Sequence, residues 1–212
     1  MTLLRPITTK DSSITFHSDR YDETYHSVSG AKEEAIKKFA EPCGIAGYNR
    51  VAVLDICFGL GYNSAAALDL FRGDHIEIVA LEDDPGIIDQ IKHISVDFSS
   101  YPVIKTLAKD RVFKDSRADL RLLIDDARQA IKSLPSDHFD VIFLDPFSPK
   151  KCPELWTEGF FKEIFRVCKK ESMLATYSCA RVVRDNLRSA GFIVTDGPVV
   201  GRKAPGTLAI KQ

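Results

Sequence analysis

Hydrophobic and polar positions alternate on two scales along the chain. From residue 51 onward, short β-branched or apolar runs at 51–57, 76–81, 120–124, 141–144, 173–177, 192–194 and 207–210 are separated by stretches with helical spacing. In a predicted helix over 153–169, for example, Leu155, Phe161, Ile164, Phe165 and Cys168 recur on one side. Strands that are apolar on both faces, with helices between them, imply a parallel sheet covered on both sides, a doubly wound α/β fold. The last two runs are joined by a Gly- and Pro-rich loop with no helical segment, so they should close as an antiparallel hairpin at one edge. Residues 1–45 stand outside the alternation and are predicted to form a small extension, with a strand pair around 3–14 and a helix over about 29–39 that puts Ala31, Ala35 and Phe39 on one face. Residues 46–212 form the main domain.

Composition narrows the class. With 212 residues, 44% hydrophobic and 28% charged, the chain suits one ordinary globular core. No run approaches the roughly 18 apolar residues of a membrane span, so no membrane partner is expected and the expected address is the cytoplasm. Five scattered cysteines never fall as CxxC and five histidines never at HxxxH, so neither a disulfide framework nor a metal is expected. Charge is uneven: residues 150–212 carry 12 Lys and Arg against 6 Asp and Glu, within a net charge of −1. Such asymmetry suits a face that meets an anion, although solvated helix surfaces would show it too.

Candidate chemistry begins where the first strand ends, in Phe58-Gly59-Leu60-Gly61-Tyr62-Asn63. Glycines there let backbone approach a ligand at a helix N-terminus. About twenty residues on, the second strand ends in Glu82, where a carboxylate can accept the hydroxyls of a ribose. Asp83 and Asp84 read as the acidic start of a helix. The third strand runs into Asp126 and Ala127, the fourth into Asp145. In an open α/β sheet, ligands sit beyond the carboxyl ends of the strands, so Gly59, Gly61, Glu82, Asp126 and Asp145 should converge on one crevice.

Asp145-Pro146-Phe147-Ser148 resembles the Asp/Asn-Pro-Pro-aromatic motif of amino-group methyltransferases, in which oxygen acceptors hold a nitrogen while an aromatic ring packs on the substrate. The strings SSITF, DETYHS, GAKEEA, LDICFGLGYN, LEDD, DDAR, FLDPFSPKKCPELWT, ATYS, VRDNLRSAGF and GRK, in this order, resemble the methyltransferase component of the bacterial MnmC family over about residues 10–210. That resemblance implies a Rossmann-like class I fold dependent on S-adenosylmethionine (SAM), with a mostly parallel seven-stranded sheet. It implies methylation of the 5-aminomethyl group on the wobble uridine of tRNA, with the anticodon stem-loop as partner and a separate enzyme supplying the aminomethyl group. The catalytic pair would be Asp145 and Phe147. Phe58, Gly59, Gly61, Asn63, Glu82, Asp126, Ala127 and Tyr25 would hold SAM. A departure from many methyltransferase loops is Cys57, which stands where glycine is frequent.

For the substrate side, Pro146, Ser148, Lys150, Lys151 and Trp156 follow from position in the same block, and Trp156 could equally seal its helix against the sheet. Arg181, Arg184 and Arg188 fall on one helical stripe with Val182, Val183, Leu187 and Ala190 facing inward; Arg202 and Lys203 lie on a nearby loop. Tyr21 and Tyr25 are four apart, as in a helical turn over the crevice. Cys152 could act as a nucleophile, but no base partner stands nearby and packing is the simpler fate. Alternatives are an aminopropyltransferase of the spermidine synthase type, whose glycine loop differs from CFGLGYN, a nicotinamide dehydrogenase, which leaves DPFS unexplained, and a noncatalytic RNA-binding module.

Overall fold

The structure, a computed structural model, describes residues 4–201 and 203–212. An eight-stranded sheet has the order β10-β11-β9-β8-β4-β5-β7-β6, with β4 (Arg50–Ile56), β5 (His75–Glu82), β6 (Val112–Lys114), β7 (Ala118–Ile124), β8 (Phe139–Leu144), β9 (Cys168–Thr176), β10 (Ile193–Asp196) and β11 (Thr207–Ile210). The pairs β4–β5, β4–β8, β5–β7 and β8–β9 are parallel, while β11 runs antiparallel to both β9 and β10. The expected parallel sheet and closing hairpin are therefore present. The eighth strand, β6, was not expected: it pairs antiparallel with β7 along three residues, too short for a period-2 pattern to register among Lys109, Asp110, Arg111 and Asp115.

Burial on both faces of the central strands explains their continuous apolar sequence. On β4, Val51 and Val53 join a core packed by α2 (Tyr62–Leu70) and α4 (Tyr101–Asp110), whereas Ala52, Leu54 and Ile56 join a second core packed by α6 (Glu158–Val167) and α7 (Arg181–Ser189). The predicted helix over 153–169 is a 3-10 turn, Pro153–Trp156, followed by α6, which Thr157 caps through Phe160 N.

The N-terminal residues form a meander of β1 (Arg5–Thr8), β2 (Ile14–Ser18) and β3 (Glu23–Thr24). Tyr62 clamps it to the main core, its hydroxyl donating to Ile14 O at 2.6 Å and accepting from Ile14 N at 3.2 Å. The segment that follows is α1 (Ala31–Glu34), continued by a wider π turn over Ala35–Ala40. Ala31, Ala35 and Phe39 are buried as their spacing predicts; Lys38 is buried with them at 2% exposure. Tyr21 and Tyr25 are not on a helical turn, because Glu23 and Thr24 between them pair with β2.

The bend after β4 places Cys57 at φ +67°, Gly59 at +54° and Gly61 at +75°. Cys57 thus adopts the left-handed conformation that glycine enters freely, held by hydrogen bonds from Cys57 N (3.0 Å) and Phe58 N (2.9 Å) to Leu81 O. Gly61 has no room for a side chain: a Cβ would stand 2.6 Å from the Phe58 ring and 2.7 Å from Ile104. Gly61→Ala should therefore lower the unfolding free energy by about 2 kcal/mol or more, seen as a lower urea midpoint with an unchanged slope.

Candidate active site

Parallel alignment brings the carboxyl ends of β4, β5, β7 and β8 to one edge, where a cavity of about 320 Å³ is lined by Cys57, Gly59, Glu82, Asp126, Ala127 and Asp145. The opposite wall comes from the N-terminal segment, with Tyr21, Glu23, Tyr25, His26, Glu34 and Lys38. Residues 20–25 strap the crevice. Arg20 pairs with Asp83 at 3.1 Å and the Tyr25 hydroxyl donates to Asp84 at 2.7 Å on the β5 side. On the β8 side Tyr21 stacks on Phe147 (centroids 4.3 Å, 23° between planes), Tyr25 meets the same ring edge-on at 5.0 Å, and the Glu23 carboxylate accepts from Ser148 N at 2.9 Å and from its hydroxyl.

Asp145 occupies the end of β8, its amide donating to Ile56 O at 3.1 Å. Asn63 Nδ2 donates to Asp145 Oδ2 at 3.0 Å and fixes the carboxyl's orientation. Burial raises its proton affinity well above the ordinary carboxylate range; the negative charges of Glu34 and Asp55 add to this, while Asn63 and the Lys38 cation oppose it. Asp55, in the middle of the buried sheet, accepts from the Ser64 hydroxyl at 2.6 Å through Oδ2, while Oδ1 has no partner, and burial pushes its carboxyl up to about 7. Glu82 folds back onto the chain: Oε2 accepts from Gly59 N at 2.8 Å, and Oε1 accepts from Asp83 N and Asp84 N at 3.0 and 2.9 Å. Burial pushes Glu82 up to about 7 against the pull of the Gly59 and Asp84 amides.

The structure gathers part of the predicted SAM set, Gly59, Glu82, Asp126, Ala127 and Tyr25, around the cavity together with Asp145, Pro146, Phe147 and Ser148. Phe58, Gly61 and Asn63 lie behind the wall: the first two pack together, and the third is spent on Asp145. Asp126 caps α5 (Ala127–Ala130) through Arg128 N and also pairs with the Arg128 side chain. Trp156 is not a surface residue. It is buried, and its indole N–H holds Phe147 O at 2.9 Å, so it fixes the loop that carries the ring. Cys152 is buried, and burial pushes its thiol up to about 12, the reverse of an activated nucleophile.

The basic stripe is corrected as well. Arg184 is consumed within the fold, donating to Thr207 Oγ1 at 2.9 Å and Gly206 O at 3.0 Å and pairing with Asp196 at 2.7 Å, because the β10–β11 hairpin lies against this side of α7. Arg181 and Arg188 share Asp185, and Val182 is 57% exposed rather than inward. Lys150 and Lys203 are exposed, Lys151 pairs with Asp22 at 3.2 Å, and Arg202 lies outside the described residues. Sequence reasoning missed Glu23, Glu34, Lys38 and Asp55. Only Asp55 left a signal, a charge inside a strand apolar on both faces.

Residues 90–212 match the S-adenosyl-L-methionine-dependent methyltransferase family. The crystal structure of MnmC2 from Aquifex aeolicus superposes with a TM-score of 0.83 at 31% identity, covering 99% of this chain and 71% of that one. The chain belongs to this methyltransferase family. An uncharacterised protein of Methanocaldococcus jannaschii is 32% identical over 97% of the methyltransferase and 59% of its own length. The tRNA 5-methylaminomethyl-2-thiouridine biosynthesis bifunctional protein MnmC of Ralstonia nicotianae is 32% identical over 91% of this chain and 32% of its own. The methyltransferase thus spans between about a third and three fifths of the curated relatives it matches.

The site fits SAM, the cofactor of the family. Gly59 leaves the loop bare where a Cβ would reach 3.6 Å from the Tyr25 and His26 rings across the cavity. Acidic and aromatic walls suit a ligand carrying a sulfonium and an ammonium. No helix among the described residues is long and apolar enough to cross a membrane, and no group of them could hold a metal ion.

The titration of Glu82 gives a prediction. A carboxyl whose folded value is raised to about 7 from 4.5 binds its proton more tightly in the folded state, so its contribution is full below about 4.5 and is lost as pH rises through 7. His26, lowered by burial to about 3, acts in the opposite direction between 3 and 6.5. Glu82→Gln should flatten the fall in urea stability between pH 5 and pH 8 relative to the unsubstituted protein; an unchanged slope would show that Glu82 is ionised throughout.

Proposed function

We propose that this methyltransferase transfers the methyl group of SAM to the amino nitrogen of 5-aminomethyluridine at the wobble position of tRNA. The observation that carries the reading is Asp145: a carboxyl of raised proton affinity, aimed by Asn63, in a cavity beside the Phe147 ring. An alkyl ammonium with pKa near 10 that gives its proton to an ordinary carboxylate near 4 climbs about 8 kcal/mol. Raising the proton affinity of Asp145 shortens that climb, so Asp145 can take the proton from the substrate nitrogen and then hold a remaining N–H. The freed lone pair forms the new N–C bond. SAM supplies a methyl carbon whose bond to sulfur breaks with both electrons going to sulfur.

The chain's other groups position and shield. Phe147, braced by Tyr21 and Tyr25, and Pro146 form an apolar shelf for the uracil ring, with Trp156 holding the shelf from behind. Gly59, Asp126, Ala127 and Tyr25 would line the adenosine side. Glu82 retains one unused lone pair on Oε2, since Oε1 already accepts two amides, so it would take a single ribose hydroxyl rather than two. Arg20, Lys150, Lys151, Arg181 and Lys203, on exposed positions, would meet the phosphates of the anticodon stem-loop, whose unpaired base can be splayed into the cavity. The reading places formation of the aminomethyl group at a separate catalytic centre.

The test is incubation with SAM and tRNA lacking only the terminal methyl, followed by nucleoside mass analysis. Gain of one methyl on the aminomethyl nucleoside is expected; gain of an aminopropyl group from decarboxylated SAM, or no gain, would overturn the reading. Asp145→Ala should lower single-turnover methylation by roughly a hundredfold or more with tRNA binding near normal. Asp145→Asn, which can accept an N–H but not a proton, should lose nearly as much.

A further inference from the structure

Asp145 shares its cavity with a charged pair, Glu34 and Lys38. Lys38 is 2% exposed, and its ammonium donates to Glu34, one helical turn back. The other oxygen of Glu34 accepts from Ser27 N at 3.3 Å. A pair at i, i+4 normally lies on a helix surface, where both charges keep their water; here Lys38 stands seven residues after buried Ala31, on the same face, and both side chains line the cavity. Burying two charges where apolar side chains would fill the space calls for a role.

We propose that Glu34, anchored by Lys38, is a positioning residue for methyl transfer, its negative charge keeping Asp145 ready to receive and hold the proton of the substrate's amine. This rests on the reaction proposed above. The other groups around Asp145 are Asp55 on β4 and Cys57 just after it, Glu82 from β5, Glu23 from β3 and His26 beyond it, and Tyr177 beyond β9; Asn63 is its hydrogen-bond donor. Cys57 is kept protonated and His26 neutral by burial. Among these groups Glu34 exerts the largest electrostatic push on Asp145, and Lys38 the opposing cationic pull. A like charge nearby disfavours ionisation and an opposite charge favours it. The two halves of the pair therefore act on Asp145 with opposite sign, so removing the glutamate charge alone and removing both charges should have different effects.

The experiment is a carbon-13 NMR titration of the full chain labelled at aspartate carboxyls, with Asp145→Asn identifying the Asp145 signal. Glu34→Gln should lower the Asp145 midpoint by about one pH unit or more. Glu34→Gln combined with Lys38→Met, in which neither charge is left buried alone, should lower it less, leaving it between the single variant and the unsubstituted protein. The acid limb of the pH profile for single-turnover methylation should move in step. A midpoint that stays put or rises in Glu34→Gln overturns the proposal; should that variant not fold, a double-variant midpoint at or above the original does so. The titration needs no tRNA, so midpoints that move as expected in a protein that methylates no tRNA would sink the assigned reaction and leave the charge coupling standing.

Discussion

A carboxyl group taken out of water has to be paired, hydrogen-bonded or protonated, and the carboxyl edge of this sheet meets that demand in three ways at once. Glu82 takes backbone amides, Asp55 takes the Ser64 hydroxyl while burial pushes its carboxyl up to about 7, and Glu34 takes the Lys38 cation. Asp145 receives Asn63 as its side-chain donor, and its proton affinity rises well above the ordinary range. The surrounding architecture sustains this arrangement. The left-handed bend at Cys57–Gly61 turns the loop so that Gly59 N reaches Glu82, and α2 then carries Asn63 and Ser64 to their carboxylates.

The N-terminal meander completes the enclosure. Without it the strand ends would open to water, and their carboxyls would return toward ordinary behaviour. Tyr62 ties the meander to the core, Glu23 and Tyr21 tie it to the loop after β8, and Arg20 and Tyr25 tie it to the end of β5. Burial, and with it the proton affinity of Asp145, thus depends on contacts made across more than a hundred residues of sequence.

Much of this could be read from the chain because parallel strands buried on both faces advertise themselves as apolar runs, and three of those runs lead into an acid: Glu82, Asp126, Asp145. The three-residue β6 carried too little pattern. A stripe such as Arg181, Arg184 and Arg188 gives a face of a helix but not what lies against it, so the capture of Arg184 by Asp196 and Thr207 was invisible until the hairpin was in place. Glu34 and Lys38 likewise read in sequence as an ordinary solvated i, i+4 pair, and it is the structure that puts both against the cavity. Cys57 showed its oddity in sequence, and its φ of +67° gives the reason: the bend needs the conformation and the residue tolerates it.

The strap over residues 20–25 also bears on traffic. Among its ties to the two banks, the exposed ion pairs Arg20–Asp83 and Lys151–Asp22 are worth roughly 1 kcal/mol or less each. They lie on one short stretch of chain, beside the Tyr25–Asp84 and Glu23–Ser148 hydrogen bonds. Opening by this route requires no unfolding of the sheet, which places exchange of the cavity's contents among loop motions of microseconds to milliseconds. The same stretch then bears on how freely the cavity exchanges what it holds, a property open to change at residues that never touch the transferred carbon.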